Sequence, residues 1–482
     1  MIPSESLPLL TTENAALREQ VETLLAQNAV LVARVQELEA RLAKDSHNSS
    51  KPPTSDGLKR QAPQTRSLRR RSGRKPGGQL GHRGETLHLV APEQVDVVIA
   101  HRPATCASCQ QALDPTAPVI GRERRQVQDL PPQRLHITEH QTLHVRCAAC
   151  QHVTAAPFPA SVPSRAQYGP HVRAWVVYLV TQQCVPYARV RDLLREGYGA
   201  HLALGTLVTW VRHAAHALVP VETALKQALG RAPVLHSDET GVRRNGQLAW
   251  AHVTSTPRLT HYAIHPKRGV EATDAVGILP TYAGVSVHDG WTPYQTYTHC
   301  RHALCNVHHL RELTFLEEQY QQTWATDLKA LLGEMHTAVD QARAAGHTAI
   351  PPDQRDALVT RYEQTLAVGR VANPPPVRRG GRRGRLKQSP ARNLLDRLIL
   401  GQAQVLAFLD DVTIPFDNNQ AERDLRMLKV QQKVSGSFRS TKGADAFARL
   451  RGYLSTLRKQ GTTLLAALET LFTGCPLYPA LA

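Results

Sequence analysis

The sequence has no stretch approaching 18 consecutive apolar residues, which argues against a membrane-spanning helix. It begins Met1-Ile2-Pro3-Ser4-Glu5-Ser6, without a basic segment or a signal-type apolar stretch, so no secretory leader is expected. A cytoplasmic location follows, where the eight cysteines stay reduced. Acidic residues are in deficit, with 40 Asp and Glu against 58 Lys and Arg and a formal net charge of +18. That imbalance favours a polyanionic partner, nucleic acid first, and so a nucleoid-associated protein. At 482 residues the chain exceeds one compact core, and three or more structural units are expected.

What is present begins with a heptad repeat over residues 1–44. Leu10, Leu17, Leu24, Leu31 and Leu38 recur every seven residues, with Asn14, Val21, Asn28, Val35 and Leu42 at the a positions. Leu at d with Val at a favours a two-stranded parallel coiled coil, and Asn at a fixes register and dimeric state. The alternative is a helix folded onto the protein's own body. Residues 45–90 read as a flexible basic arm in which Arg69, Arg70, Arg71, Arg74 and Lys75 are candidate DNA contacts. Within 91–165, Cys106-Ala-Ser-Cys109 and Cys147-Ala-Ala-Cys150 stand 37 residues apart. Two such knuckles are the pattern of a closed, structural four-cysteine Zn²⁺ site, and the gap leaves room for hairpins at 119–130 and 136–145.

Residues 166–230 have helical periodicity punctuated by Gly197, Gly199 and Gly205, so either a helix-turn-helix or an ordinary packing domain fits. Residues 231–314 then run strand, hairpin at Asn245-Gly246, two further strands, helix, strand. That order opens a ribonuclease H-like core, in which the first and fourth strands are neighbours. Residues 315–412 read as a helical insertion with a second basic loop, and 413–482 as closing helices of the core. The expected class is a multidomain α/β chain.

Asp238 and Asp289 each end a short β-rich run, and Glu422 sits on a basic amphipathic helix. Any one of them could be an ordinary surface acid, and Glu422 could pair with Arg426 at i,i+4. Together, in a basic chain, they point to Mg²⁺ or Mn²⁺ and phosphodiester chemistry. Converging carboxylates raise one another's pKa, and a hard cation resolves that conflict while leaving places for phosphate. Glu239 is an adjacent rival; Asp238 is preferred because a strand-end position parallels Asp289. On the same helix and beyond it, Arg423, Arg426, Lys429 and Arg439 are candidate phosphate contacts.

The chain resembles transposases of the insertion-sequence-66 family almost end to end. The likeness rests on the leucine repeat, His47-Asn-Ser-Ser-Lys-Pro-Pro-Thr-Ser-Asp56, Gly77-Gly-Gln-Leu-Gly-His82 and the paired cysteine knuckles. It continues through His236-Ser-Asp-Glu-Thr-Gly241, His288-Asp-Gly290 and Cys305-Asn-Val-His-His-Leu-Arg311. It is clearest at Asp417-Asn-Asn-Gln-Ala-Glu-Arg-Asp-Leu-Arg426 and Lys433-Val-Ser-Gly-Ser-Phe-Arg439. Leu80 departs from a usual proline, in the basic arm and away from the acids. The resemblance implies a DDE transposase with Asp238, Asp289 and Glu422 as its acidic triad. It further implies cleavage at element ends and transfer of the freed 3′-hydroxyl to target DNA by two-metal chemistry. The implied partners are double-stranded DNA, both terminal repeats and target, a second copy of the chain, and small accessory proteins. A zinc-dependent DNA-binding regulator with an inactive catalytic fold, and a ribonuclease H-like nuclease without strand transfer, are the rival readings.

Overall fold

The computed structural model describes residues 6–45, 48–49, 87–131, 133–376, 386 and 388–481. The arm candidates Arg69, Arg70, Arg71, Arg74 and Lys75, and the insertion's basic residues Arg378, Arg379, Arg382, Arg383, Arg385 and Lys387, lie outside the described residues. The chain forms two compact units, one of residues 64–137 with 197–199 and the other of the remainder. No helix among the described residues is long and apolar enough to cross a membrane.

The heptad segment forms one continuous helix, α1 (Ser6–Leu42). Leu17, Leu24, Leu31 and Leu38 are 43–64% exposed, so the seam does not fold onto the body. The end of α1 is engaged: Ala40 is buried in a cluster with Phe315 and Leu316, and Lys44 Nζ lies 4.7 Å from the Phe315 ring centroid.

Each cysteine knuckle is the turn of its own short hairpin. In the first, the Thr105–Ala112 bridge frames the turn, with Cys106 N–H donating to Gln111 C=O and Gln110 N–H to Cys106 C=O. In the second, β1 (His144–Arg146) pairs with β2 (Val153–Ala155), and Cys147 and Gln151 repeat the same two bonds. The hairpins expected at 119–130 and 136–145 do not form. Apart from the start of β1 those stretches carry no ladder, because the pairing is local to the knuckles.

Four helices follow: α2 (Pro170–Val177), α3 (Tyr187–Tyr198), α4 (Leu204–Ala217) and α5 (Val219–Gly230). The main sheet has the order β5-β4-β3-β6-β7, from β3 (Val234–Arg244), β4 (Gln247–Ser255), β5 (Thr260–His265), β6 (Val285–His288) and β7 (Arg301–Leu304). The first three are antiparallel, through the Asn245-Gly246 turn with φ of 51° and 74°; β3, β6 and β7 are parallel. The crossover between β5 and β6 carries α6 (Val270–Val276).

After β7 come α7 (Asn306–Tyr320), α8 (Thr323–Ala344), α9 (Pro352–Ala372), α10 (Pro390–Leu400), α11 (Gln402–Val405) and α12 (Ala407–Asp410). Their apolar faces share one core with Val285, Val287 and Ala303 of the parallel strands, which is how an insertion this long is anchored. The chain then returns through α13 (Asn419–Ser435), α14 (Thr441–Lys459) and α15 (Leu464–Phe472). Ala421, Leu425 and Leu428 of α13 pack with Phe447 of α14 against Val242, Ala251 and Val253 of the sheet. Each buried leucine contributes about 1.5–3 kcal/mol. A Cβ on Gly452 would sit 3.1 Å from the Thr260 carbonyl, so glycine permits α14 to close over edge strand β5. Thr456 Oγ1 then takes the free Thr260 N–H at 2.9 Å. Helix α15 lies beyond the last helix expected from sequence.

Candidate active site

Strand register brings the two aspartates together. Val234 pairs with Val285 and His236 with Val287, so Asp238 and Asp289 each stand two residues past the last pair, and the charge of Asp289 acts on Asp238. Asp238 is not at a strand end, as the sequence suggested. β3 runs on to Arg244 because the hairpin with β4 extends it, and only its pairing with β6 stops before Asp238. The aspartates therefore stand at the carboxyl edge of the parallel strands, the usual place for a site in such sheets.

The turn after β6 aims Asp289. Gly290 has φ of 88°, a conformation that glycine adopts without strain, and its N–H donates to His288 Nδ1 at 3.0 Å. That fixes the tautomer: His288 Nε2–H donates to His302 Nδ1 (3.0 Å), and His302 Nε2–H to the Tyr297 carbonyl (3.1 Å). Burial, with His302 alongside, holds the His288 imidazole neutral, its pKa lowered to about 3. Asp289 Oδ1 accepts from Trp291 N–H (2.8 Å), and Asp238 Oδ1 from Glu239 N–H (2.8 Å). Among the described residues, no donor is directed at the other oxygen of either carboxylate.

Glu422 reaches this edge because Asn418 fastens the start of α13 to β3. Asn418 is 1% exposed; its Nδ2 donates to the Ser237 carbonyl (2.9 Å), so its Oδ1 must face His236, whose Nδ1–H donates to it (2.9 Å). Its own N–H donates to Cys305 Sγ at 3.2 Å, while Asn306 N–H takes the Phe416 carbonyl at 3.0 Å. The segment before α13 is thus laced along the start of α7. Further along, Lys459 Nζ holds Asp424 at 2.8 Å, and Tyr262 OH donates to the Asp424 carbonyl at 2.8 Å. Glu422 Oε1 lies 3.6 Å from His308 Nε2. Among the described residues no ion pair joins Glu422 to Arg426, so the i,i+4 alternative does not form.

Asp238 carries the electrostatic signature of the cluster. Burial first, then the charges of Glu239 and Asp289 and, more weakly, Glu422, push its carboxyl well above the ordinary range. A divalent cation would relieve that cost, and an all-carboxylate donor set with free oxygens fits Mg²⁺ or Mn²⁺. Glu239 is committed elsewhere. Its side chain is 1% exposed, Arg268 Nε and Nη2 donate to Oε1 (2.9 and 2.6 Å), and Tyr294 OH donates to Oε2 (2.5 Å). The Arg268 guanidinium in turn lies 4.0 Å from the Trp291 ring centroid.

Of the candidate phosphate contacts, Arg423, Arg426 and Arg439 are exposed. Lys429 Nζ is occupied by the Gly241 carbonyl at 3.0 Å, which ties α13 to β3. The roles of Asn418, Cys305 and His308 were missed from sequence. All three stand inside quoted motifs, yet nothing local says that Asn418 bonds to residues about 180 positions away.

Both cysteine knuckles have one local geometry. The N–H groups of Ser108 and Cys109 turn toward the Cys106 sulfur and lower its pKa, and those of Ala149 and Cys150 do the same at Cys147. Gln110 and Gln151, each just past the second cysteine, share a left-handed backbone (φ 60° and 62°).

Residues 165–446 match the model of the family described as Transposase IS66 family, and residues 4–88 match a family of unknown function (DUF6444). The chain is also similar to an uncharacterized protein, y4jD, of Sinorhizobium fredii (strain NBRC 101917 / NGR234). The two are 24% identical over 398 residues, which cover 76% of this chain and 73% of the relative.

Proposed function

Because this chain belongs to the transposase IS66 family, we propose that it is a DNA transposase of an insertion sequence with Asp238, Asp289 and Glu422 as its acidic triad. The observation that carries the reading is that the charges of Asp289 and, more weakly, Glu422 act on Asp238 at the carboxyl edge of the parallel strands. Mg²⁺ or Mn²⁺, held by these carboxylates, would supply charge neutralisation for in-line displacement at phosphorus. The chain's own part is positioning. Asp238 presents a part-buried carboxylate, the His288–Gly290 turn aims Asp289, and Asn418 with His308 holds Glu422. Arg423, Arg426 and Arg439 offer charge to phosphates flanking the scissile one, and the arm residues Arg69, Arg70, Arg71, Arg74 and Lys75 bind DNA farther away. One site then serves both hydrolysis at the element end and attack by the freed 3′-hydroxyl on target DNA.

The β5-β4-β3-β6-β7 order supports a ribonuclease H-like core, with α8 to α12 as a helical insertion between the second and third acids. The test is incubation with DNA from both flanks of the gene in Mg²⁺. Nicked ends that join to a second DNA support the reading. Cleavage without joining would leave a nuclease, and no cleavage would overturn the assignment.

The N-terminal part would assemble the enzyme on DNA. The paired Cys-x-x-Cys spacing, with amides turned toward sulfur within each knuckle, supports Zn²⁺ binding by Cys106, Cys109, Cys147 and Cys150, and the exposed seam of α1 supports a parallel homodimer. One preparation tests both. Metal analysis should find about one zinc per chain, lost in Cys147→Ser. Sedimentation should show self-association lost in a Leu24→Lys, Leu31→Lys double variant, because two charges would enter the seam. Unchanged zinc content in the first variant, or unchanged association in the second, would refute that half of the reading. Small accessory proteins complete the expected partners.

A further inference from the structure

We propose that Cys305, His308 and Glu422 form a binding site for a thiophilic divalent cation, with Zn²⁺ the best fit, and that its occupation withdraws Glu422 from the acidic triad. Their donor atoms all lie within 4.8 Å of one another, the one such group of three or more among the described residues. Cys305 caps α7 and His308 follows three residues on, which sets thiol and imidazole on the same side of the helix start. Glu422 comes across from α13.

The donor set selects the ion. Thiolate, imidazole and carboxylate with a fourth position open make a Zn²⁺ site, whereas Mg²⁺ takes oxygen ligands and keeps its water. On His308, Nε2 is the nitrogen beside Glu422, 3.6 Å from Oε1, and the other, Nδ1, is buried without a hydrogen-bond partner. Cys305 is 1% exposed, so its thiol is shielded from bulk water. A cation that binds there must displace the thiol proton to solvent, which Zn²⁺, Co²⁺ and Cd²⁺ do and Mg²⁺ does not. Zinc would therefore bind beside the hard-ion site and take the Glu422 carboxylate as its own ligand, leaving the hard ion one carboxylate short. The inhibition rests on the transposase reading; the binding does not.

The probe is Co²⁺ added to the full-length protein, read by its sulfur-to-cobalt charge-transfer absorption. Wild type should take up one more thiolate-coordinated equivalent than Cys305→Ser, the knuckle cysteines contributing equally to both. His308→Ala, which keeps the thiol and covers the case of a poorly folded Cys305→Ser, should weaken that binding at least about 10-fold. In Mg²⁺-dependent cleavage, each protein compared with its own zinc-free rate, Cys305→Ser should need at least about 10-fold more Zn²⁺ for half inhibition. Identical cobalt uptake in wild type and both variants would overturn the site. Cobalt uptake as expected with equal zinc sensitivity would overturn the withdrawal of Glu422. Absence of cleavage by wild type in any divalent ion would sink the transposase reading, and the cobalt difference would still decide the site.

Discussion

Asp289→Asn and Glu422→Gln are each expected to abolish DNA cleavage and strand transfer in Mg²⁺ while DNA binding stays within about threefold of wild type. Both substitutions keep side-chain volume and remove a charge. Asp289 is exposed and its carboxylate makes one local bond, to Trp291 N–H, so its neutral amide does little to the fold. Glu422 is partly exposed, and its ionic partner is His308. What each loses is a share of the negative charge that a divalent cation needs, and preorganised charge at the reacting phosphate is commonly worth a factor of at least about 10² in rate. On the proposed reading, affinity for DNA comes from phosphate contacts elsewhere, including the ten Lys and Arg between residues 45 and 84. Mobility shift and nicking on the same preparation separate the two quantities. A parallel loss of both would mean that these residues maintain the fold.

Asn418→Ala is expected to lower stability by about 2–6 kcal/mol, and to reduce cleavage further than its folded fraction explains. The side chain satisfies two buried groups at once, the Ser237 carbonyl and His236 Nδ1–H, and alanine leaves both without a partner. Unsatisfied buried groups cost about 1–3 kcal/mol each. The same bonds set where α13 begins against β3, so Glu422 should lose its position even in molecules that remain folded. Urea denaturation gives the first quantity, and nicking at low urea gives the second. Asn419→Ala is the control, since its side chain reaches only Asp417 and its loss should be mild. An Asn418→Ala protein as stable and as active as wild type would refute the clamp.

Much of this site was legible because its parts carry local signals. Alternating apolar residues and the Asn245-Gly246 turn give the hairpin, and the parallel neighbour of β3 follows from topology once a crossover helix is recognised. Asp238 and Asp289 could therefore be matched before any coordinates. The extent of β3 could not, since a strand continues as long as a partner offers hydrogen bonds, and β4 offers them to Arg244. The strand-end reading of Asp238 is corrected by the length of β3, and the preference for Asp238 over Glu239 rests on the cleavage comparison below. Glu422 was readable as a helical acid, whereas its choice of His308 over Arg426 depends on α7 arriving from over 100 residues away. Long-range polar pairing leaves no periodic trace, and for that reason Asn418, Cys305 and His308 stayed silent inside motifs that were already visible. The heptad period lines leucines along one side of α1, and Leu17, Leu24, Leu31 and Leu38 are exposed there.

The most direct test sets Asp238→Asn beside Glu239→Gln in a cleavage assay on the gene's flanking DNA with Mg²⁺. The two residues are adjacent on β3 and face opposite sides of the strand. Glu239 is enclosed by Arg268 and Tyr294, so its amide should cost about 1–3 kcal/mol of stability and leave cleavage within about tenfold of wild type. Asp238 stands opposite Asp289 with an oxygen free, so its amide should yield no product. Cleavage by Asp238→Asn with none from a folded Glu239→Gln would contradict the triad and move its first member by one residue.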